Sequence, residues 1–418
     1  MKRGQRRFEV HAQENIIVGL DIGTTKICAV VAEVSNETIN IIGIGSHPST
    51  GLRKGVVVDI DSTVHSIRKA IDEAELMADC EIKSVYAGIA GGHITGFNSQ
   101  GVIAIKSPEI MQYDVDRVIE AARAVTIPAD REVIHILPQE FIVDGQGSIH
   151  SPIGMAGIRL EARIHIVTAA VACAHNIVKC ANKAGLEISD IVLGPLASAK
   201  AVMTSEEKEL GSALIDIGGG TTDLAVFNNN TIRHTFVLGL GGNNLTNDIS
   251  IGLRSPLTEA EKIKIEHGTC VDSHISGEDV LEVPGIGGRK PRQLRKQVLC
   301  EILEPRVEEI FSLIKTEIQR AGMENIISSG IVVTGGTALL DGITEVTESI
   351  FNVPARVGTP SGISGLLDVV NSPQYATGVG LILYGAKNQS QQEPFKMEDI
   401  NMFNRLVNRM KKWFRDVV

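Results

Sequence analysis

Long apolar runs, paired cysteines, aromatic residues and positive net charge are all lacking in this chain, and each lack removes a class of function. No stretch of about 18 apolar residues occurs, too little for a bilayer-crossing helix. The six cysteines, Cys28, Cys80, Cys173, Cys180, Cys270 and Cys300, form no Cys-x-x-Cys pair and flank no histidine cluster, which argues against a zinc site. Scattered thiols in 418 residues fit a reducing cytoplasm. Aromatics make up 4%, so the core has to be aliphatic. A formal charge of -10 argues against a nucleic-acid partner. Lys2, Arg3, Arg6 and Arg7 precede no apolar stretch, so residues 1–15 are expected to be a disordered N-terminal extension rather than a secretory leader. The P-loop pattern is missing, and Gly239-Leu240-Gly241-Gly242-Asn243-Asn244 lacks the last glycine of a dinucleotide fingerprint.

Glycine is in excess: 42 of 418 residues, against an ordinary usage of about 7%. The length suits about two to four domains. Periodicity and turn residues give an α/β order. Strands are expected at 16–21, 27–34, 39–43 and 85–90, and a helix at 61–78 with Asp61-Ser62 offering the N-cap. Residues 101–160 differ in texture, with strands expected at 102–105, 133–137 and 141–143, a helix at 114–126, and Pro128, Pro138 and Pro152 as punctuation. This reads as a small α+β unit inserted between larger pieces. Beyond it, a strand at 163–172 runs into a helix ended by Gly185, and Pro195 opens another helix. A long helix is expected at 296–321, interrupted at Pro305, and a further one from Ala338.

One motif occurs twice. Asp21-Ile22-Gly23-Thr24-Thr25 and Asp216-Ile217-Gly218-Gly219-Gly220-Thr221-Thr222 each close an apolar strand with Asp-Ile-Gly and a Thr-Thr pair. Such a turn presents successive backbone N–H groups to an anion, and glycine lets a phosphate come close. The aspartate at the strand end is placed to hold waters on a phosphate-bound Mg²⁺. A third turn, Thr334-Gly335-Gly336-Thr337, follows a buried strand and can lie flat against a nucleoside. Two related halves clamping a nucleotide are the expectation.

With these motifs the chain resembles the actin-like ATPase superfamily. Within it, Gly23-Thr24-Thr25-Lys26, Leu137-Pro138-Gln139-Glu140-Phe141 and Gly287-Gly288-Arg289-Lys290-Pro291-Arg292 resemble the FtsA family of bacterial cell-division proteins. The resemblance implies an α/β, actin-like two-lobed ATPase fold with an inserted α+β subdomain and a C-terminal amphipathic helix. The first lobe would span 16–85 and 166–203, the insert 86–165, the second lobe 204–240 and 304–385, and a nucleotide-gripping, FtsZ-binding subdomain 241–303. ATP and Mg²⁺ are the implied cofactors. ATP contacts carry over to Gly23, Thr24, Thr25, Lys26, Gly218, Gly219, Gly220, Thr221, Thr222, Gly241, Gly242, Glu261, Lys264, Gly335, Gly336 and Thr337, and water-mediated Mg²⁺ contacts to Asp21 and Asp216. In heat-shock chaperones a glutamate before a connecting proline helps position water; here Gly194 precedes Pro195, which implies slow hydrolysis at most and no catalytic residue to name.

The resemblance also implies partners. These are the C-terminal peptide of FtsZ, further copies of the chain in a filament, later division proteins and anionic membrane lipids, with the inner face of the cell membrane at the division site as the location. The basic run Arg289, Lys290, Arg292, Arg295 and Lys296 suits an acidic peptide; FtsZ contacts are assigned to Arg289, Arg292, Arg295 and Arg306. A polar linker at 386–401 leads to 402–418, where Phe403, Leu406, Val407, Met410, Trp413, Phe414 and Val417 fall on one helical face opposite five basic residues, the pattern of an interfacial membrane helix. Two alternatives stay open: a sugar or acyl kinase of the superfamily, which would need an acceptor pocket and a carboxylate base, and a pilus-assembly scaffold, which would not need its own membrane helix.

Overall fold

A computed structural model describes residues 15–35, 38–276, 279–285 and 290–388. The extension before residue 15, most of the linker and the terminal amphipathic helix lie outside the described residues.

Two sheets share one design. In the first, β1 (Ile16–Ile22), β2 (Lys26–Ser35) and β3 (Thr38–Pro48) form an antiparallel ribbon; β6 (Ser84–Ile89) and β11 (Glu187–Leu193) extend it in parallel from β1, and β19 (Ser364–Gly365) edges β3. In the second, β12 (Ser212–Ile217), β13 (Thr222–Asn228) and β14 (Thr231–Leu238) form the ribbon, extended by β17 (Ile331–Thr334) and β18 (Ala355–Val357). The orders β11-β6-β1-β2-β3 and β18-β17-β12-β13-β14 coincide. The repeated Asp-Ile-Gly motif therefore sits at the same corner of each sheet, the turn between its first two ribbon strands.

Apolar residues on both faces of these strands call for helices on both sides. Helices α1 (Ile60–Ala78) and α3 (Val171–Lys183) cover the outer face of the first sheet. Helices α4 (Gly194–Val202) and α11 (Ala376–Asn388) lie between the sheets, packed on Val30 and Ile41 from one and Leu214 and Ala225 from the other. Their close approach depends on Gly380, where a Cβ would stand 1.9 Å from the Ala197 carbonyl oxygen. Helices α6 (Gly242–Gly252), α8 (Lys296–Arg320) and α9 (Ile343–Phe351) cover the outer face of the second sheet. Aliphatic side chains dominate all of these clusters, as the scarcity of aromatics requires.

Smaller pieces complete the chain. The clip β4 (Leu52–Arg53) and β5 (Val56–Val57) precedes α1. The insert is an antiparallel sheet, β7 (Thr95–Ala104), β10 (Arg159–Ala170), β8 (Arg131–Val143) and β9 (Gln146–Ile149), with α2 (Gln112–Arg123) on one face. Helix α7 (Leu257–His267) and the hairpin β15 (Val280–Val283) and β16 (Arg292–Arg295) stand beside α6; α5 (Ser205–Leu210) and α10 (Leu367–Val370) are short connectors.

Several local expectations need correcting. The N-cap of α1 is Asp59, whose carboxylate accepts the Ser62 N–H at 2.8 Å. Pro138 does not break its strand: β8 runs through it, because at that point β8 pairs only with β10 and the missing N–H falls on an open edge. Gln139 is the extra residue of a bulge there, since Glu140 faces Arg163 and Pro138 faces Ile164. Pro305 does not interrupt α8, whose buried Leu299, Leu303, Val307 and Phe311 hold the helix on both sides of it. No helix starts at Ala338; a single 3₁₀ turn covers Gly336–Leu339, and α9 begins only after Gly342 supplies a left-handed turn.

Candidate functional site

The turn between β1 and β2 closes with the Gly23 N–H donating to the Lys26 carbonyl at 3.0 Å, and the turn between β12 and β13 with Gly218 donating to Thr221 at 2.9 Å. The two turns meet. A Cβ on Gly219 would fall 1.8 Å from Thr25 Oγ1, and one on Gly220 2.6 Å from Thr24 Oγ1. The N-terminus of α6 is pinned beside them, with Gly242 N–H donating to the Gly218 carbonyl at 2.9 Å and Asn243 N–H to Gly219 at 2.7 Å.

Together they wall a cavity of about 490 Å³. Its lining includes Asp21, Gly23, Thr24, Thr25, Lys26, Asp216, Gly218, Gly219, Gly220, Thr221, Gly242, Glu261, Lys264, Gly335, Gly336 and Thr337. Two expected contacts face elsewhere. The Thr222 hydroxyl donates to the Leu240 carbonyl at 2.9 Å inside the sheet, and Gly241 packs under the second turn.

Three carboxylates gather at one end. Burial, and the neighbouring Asp216, push Asp21 up to about 6 despite the Lys26 ammonium. Burial also raises Asp216, although Ser198 Oγ donates to its Oδ2 at 2.6 Å. Asp223 is pushed up to about 8 by burial and then by the Asp216 charge. Its Oδ1 is buried with no partner among the described residues, while Thr221 Oγ1 donates to Oδ2 at 3.2 Å. The sequence reading missed Asp223 as a site residue. The signal was available: a hairpin pairing 217 with 222 also sets Asp216 against Asp223, whereas the same place beside Asp21 is Cys28.

The cations are already engaged. Lys26 Nζ donates to the Gln374 carbonyl at 2.9 Å and lies 4.0 Å from the Tyr375 ring centroid. Lys264 Nζ pairs with Glu261 at 2.7 Å and donates to the Gly242 carbonyl at 3.1 Å. At the other end of the cavity, Ile265 and Leu339 are 72% and 59% exposed, unusual for aliphatic side chains lining a pocket and equally missed from sequence. Gly335 is fixed by structure, with φ +88° and a would-be Cβ 2.4 Å from Asp216 Oδ1. A Cβ on Gly336 would meet nothing closer than Gln374 Cβ at 4.0 Å, so it would project into free space.

The four arginines assigned to FtsZ are not equivalent. Arg292 on β16 donates to the Leu253 carbonyl at 2.5 Å. Arg306 in α8 is paired with Asp248 at 2.6 Å and with Glu309. Arg295 stands exposed where β16 meets α8, and Arg289 lies outside the described residues. The seven apolar residues from Phe403 to Val417 also lie outside them. No helix among the described residues is long and apolar enough to cross a membrane.

Comparison with known proteins fits this geometry. A family model described as cell division protein FtsA matches residues 213–380, and one described as the SHS2 domain inserted in FtsA matches residues 91–168. The chain is 47% identical to the cell division protein FtsA of Pseudomonas aeruginosa, over 95% of this chain and 97% of that protein. The chain belongs to the FtsA family. The FtsA of Escherichia coli K12 is 39% identical over 96% of this chain and 97% of its own length. Among solved structures, a chain of a PilM-PilN type IV pilus biogenesis complex matches with a TM-score of 0.65 at 17% identity, covering 88% of this chain and 98% of that one. MreB5 of Spiroplasma citri, bound to ADP, matches with a TM-score of 0.56 at 16% identity, covering 90% and 98%. Likenesses at that identity show fold alone, and the fold is actin-like with an SHS2-type insert. Membership of the FtsA family gives the chain a role in cell division.

Proposed function

We propose that this FtsA-family chain binds ATP with Mg²⁺ between its two lobes, polymerises, and ties FtsZ filaments to the inner face of the cytoplasmic membrane at the division site. The observation that carries the reading is the pair of Asp-Ile-Gly turns in contact across a cavity whose three buried carboxylates, Asp21, Asp216 and Asp223, have Lys26 as the cation acting on the first two. The unpartnered Asp223 Oδ1 and the burial of Asp21 and Asp216 support a cation reached through waters, since no cluster of three ligating side chains occurs among the described residues. Asp21 and Asp216 would hold the ion through waters. When bound, Mg²⁺ supplies the positive charge that lets phosphates lie beside carboxylates.

The chain's own groups do the rest. Backbone N–H groups of Thr24, Thr25, Gly219 and Gly220, which the turn-closing bonds of Gly23 and Gly218 leave aside, would donate to phosphate oxygens, Lys26 adds a cation, Ile265 and Leu339 flank a planar base, and Gly335-Gly336 leaves room for the sugar. Gly194 brings no carboxylate to position water, so ATP acts mainly as a ligand for assembly and turnover is slow. The terminal helix lies in the membrane interface, and the face around Arg295 receives the acidic tail of FtsZ.

One assay addresses the whole reading: co-sedimentation with anionic vesicles, with and without Mg²⁺-ATP and FtsZ. The chain should pellet with vesicles and carry FtsZ down. Vesicle binding absent in every condition overturns the tether, and no Mg²⁺-ATP binding by calorimetry overturns the nucleotide site.

A further inference from the structure

The Pro138-Gln139-Glu140 motif is not used by the nucleotide site, yet its glutamine is 95% buried. Gln139, displaced by the β8 bulge, reaches out of the insert. Its Nε2 donates to the Ile232 carbonyl on β14 at 2.8 Å and to the Arg233 carbonyl at 3.3 Å. Asn98 Nδ2 on β7 also donates to the Arg233 carbonyl, at 3.1 Å. Fully buried His165 on β10 lies 2.8 Å from Thr235 Oγ1 through Nε2 and 2.6 Å from Asn98 Oδ1 through Nδ1. Burial pushes this imidazole down to about 3, so it is neutral, its single N–H given to Asn98 and its free nitrogen accepting the Thr235 hydroxyl. Strand β14 edges the second sheet; Gln139 and Asn98 occupy two of its carbonyls, and His165 takes a side-chain hydroxyl.

The insert is held to the first lobe by other means. Ile134, Val167 and Ala169 belong to the same apolar cluster as β1, β6 and α1. His135 Nε2 accepts the Leu193 N–H at 2.9 Å, just before α4. The first attachment is thus a continuous apolar core, whereas the second joins these hydrogen bonds to a smaller apolar contact, with Leu137 against the cluster that holds Ile232 and Val237 against the one that holds Ile134 and Val167. Apolar packing is lost when surfaces separate, whereas hydrogen bonds exchange with water at small net change. The second attachment is the one suited to open and close.

We infer that Gln139, Asn98 and His165 form a clasp by which the insert, anchored in the first lobe, holds the second lobe closed over the nucleotide cavity. Gly96 shows how close the closure is: a Cβ there would lie 2.2 Å from Thr235 Oγ1 and 2.6 Å from His165 Nε2. The clasp also touches the site, because β14 pairs with β13 through Val237 opposite Asp223 and Leu238 opposite Thr222. The clasp itself stands on these contacts alone; its effect on ligand release rests on the ATP reading above.

Two variants of the full chain approach the clasp differently. Gln139→Met keeps side-chain length and removes the donor. Gly96→Ala wedges the joint while leaving every bonding group in place. Hydrogen exchange followed by mass spectrometry should show residues 231–238 and the two contacting turns, 23–26 and 218–221, exchanging faster by about three- to tenfold, the scale of one or two lost hydrogen bonds. Residues 84–89 in the first lobe should not change. Dissociation of Mg²⁺ with a fluorescent N-methylanthraniloyl ATP should quicken by a similar factor in both variants. Unchanged exchange at 231–238 in both folded variants overturns the clasp. Faster exchange at 231–238 with unchanged turns and unchanged ligand release shows a local joint that does not hold the cleft, and overturns it equally. A parent that binds no labelled nucleotide refutes the ATP reading, and the exchange at the two turns then decides the clasp by itself.

Discussion

At the scale of single residues, Asp223 and Gly336 carry the sharpest tests. The folded state keeps a proton on Asp223 up to about pH 8, while an unfolded carboxylate gives it up near 4. The folded protein therefore binds more protons between those values, and stability falls as pH rises. His93 and His165, held down to about 4 and about 3, act in the opposite sense below about 6.5, where unfolded imidazoles take up protons. Lys208, lowered to about 8, opposes the trend only near and above that pH. The window is thus about pH 6.5 to 8, and the loss there is on the order of 1 kcal/mol, since one full proton is worth about 1.4 kcal/mol per pH unit. Melting temperature measured without ligand should fall across this window, and Asp223→Asn or millimolar Mg²⁺ with ATP should flatten it. A parent whose melting point rises over the same range contradicts the assignment. Gly336→Asp adds a carboxylate where protein leaves free space, so the fold should survive. Its charge near phosphates should weaken Mg²⁺-ATP binding by at least about tenfold in calorimetry, and undiminished affinity would remove the third turn from the site.

Among elements, the hairpin β15–β16 and the terminal helix carry the proposed partner contacts. Arg292 and Arg306 are spoken for by Leu253 and Asp248, so reversing either disturbs the fold along with any ligand. Arg295 is exposed and is the cleaner probe. Arg295→Glu should weaken capture of the acidic FtsZ tail in a fluorescence titration, with the difference from the parent shrinking at high salt; equal affinities at low salt would move the contact elsewhere. For the proposed terminal membrane helix, Trp413→Glu would replace an apolar side chain whose insertion would contribute about 2 kcal/mol with a charge that resists burial. Vesicle co-sedimentation should drop by about tenfold or more while ATP binding stays. Parent-like sedimentation would show that the helix is not the anchor.

For the whole molecule, the duplicated sheet design explains why two short motifs lying far apart in the chain meet. Each sheet ends its first ribbon turn at the same corner, and α4 with α11 sets the two corners face to face. The layers leave a cleft between the two turns, and the insert spans the two lobes through β8, which bonds the first at His135 and the second at Gln139. On the proposed reading, β8 would thereby join lobe closure and nucleotide to the insert.

The order of elements, the aliphatic core and the repeated turns could be read from the chain because they rest on local periodicity and on glycine and aspartate at fixed spacing. The meeting of Gly219 with Thr25 and the pairing of Asp216 with Asp223 follow from that spacing once two equivalent sheets are granted. Other features depended on neighbours that no local pattern names. Pro138 stays within a strand because its missing N–H happens to face an open edge, and Pro305 stays in a helix because apolar contacts on both sides hold it. The elevation of Asp223, the engagement of Arg306 by Asp248 and the reach of Gln139 to Ile232 all depend on burial and on partners distant in sequence. Burial and long-range hydrogen bonds are properties of the packed chain, so tertiary structure alone decided which of the legible residues are charged, which are occupied and which remain free to bind.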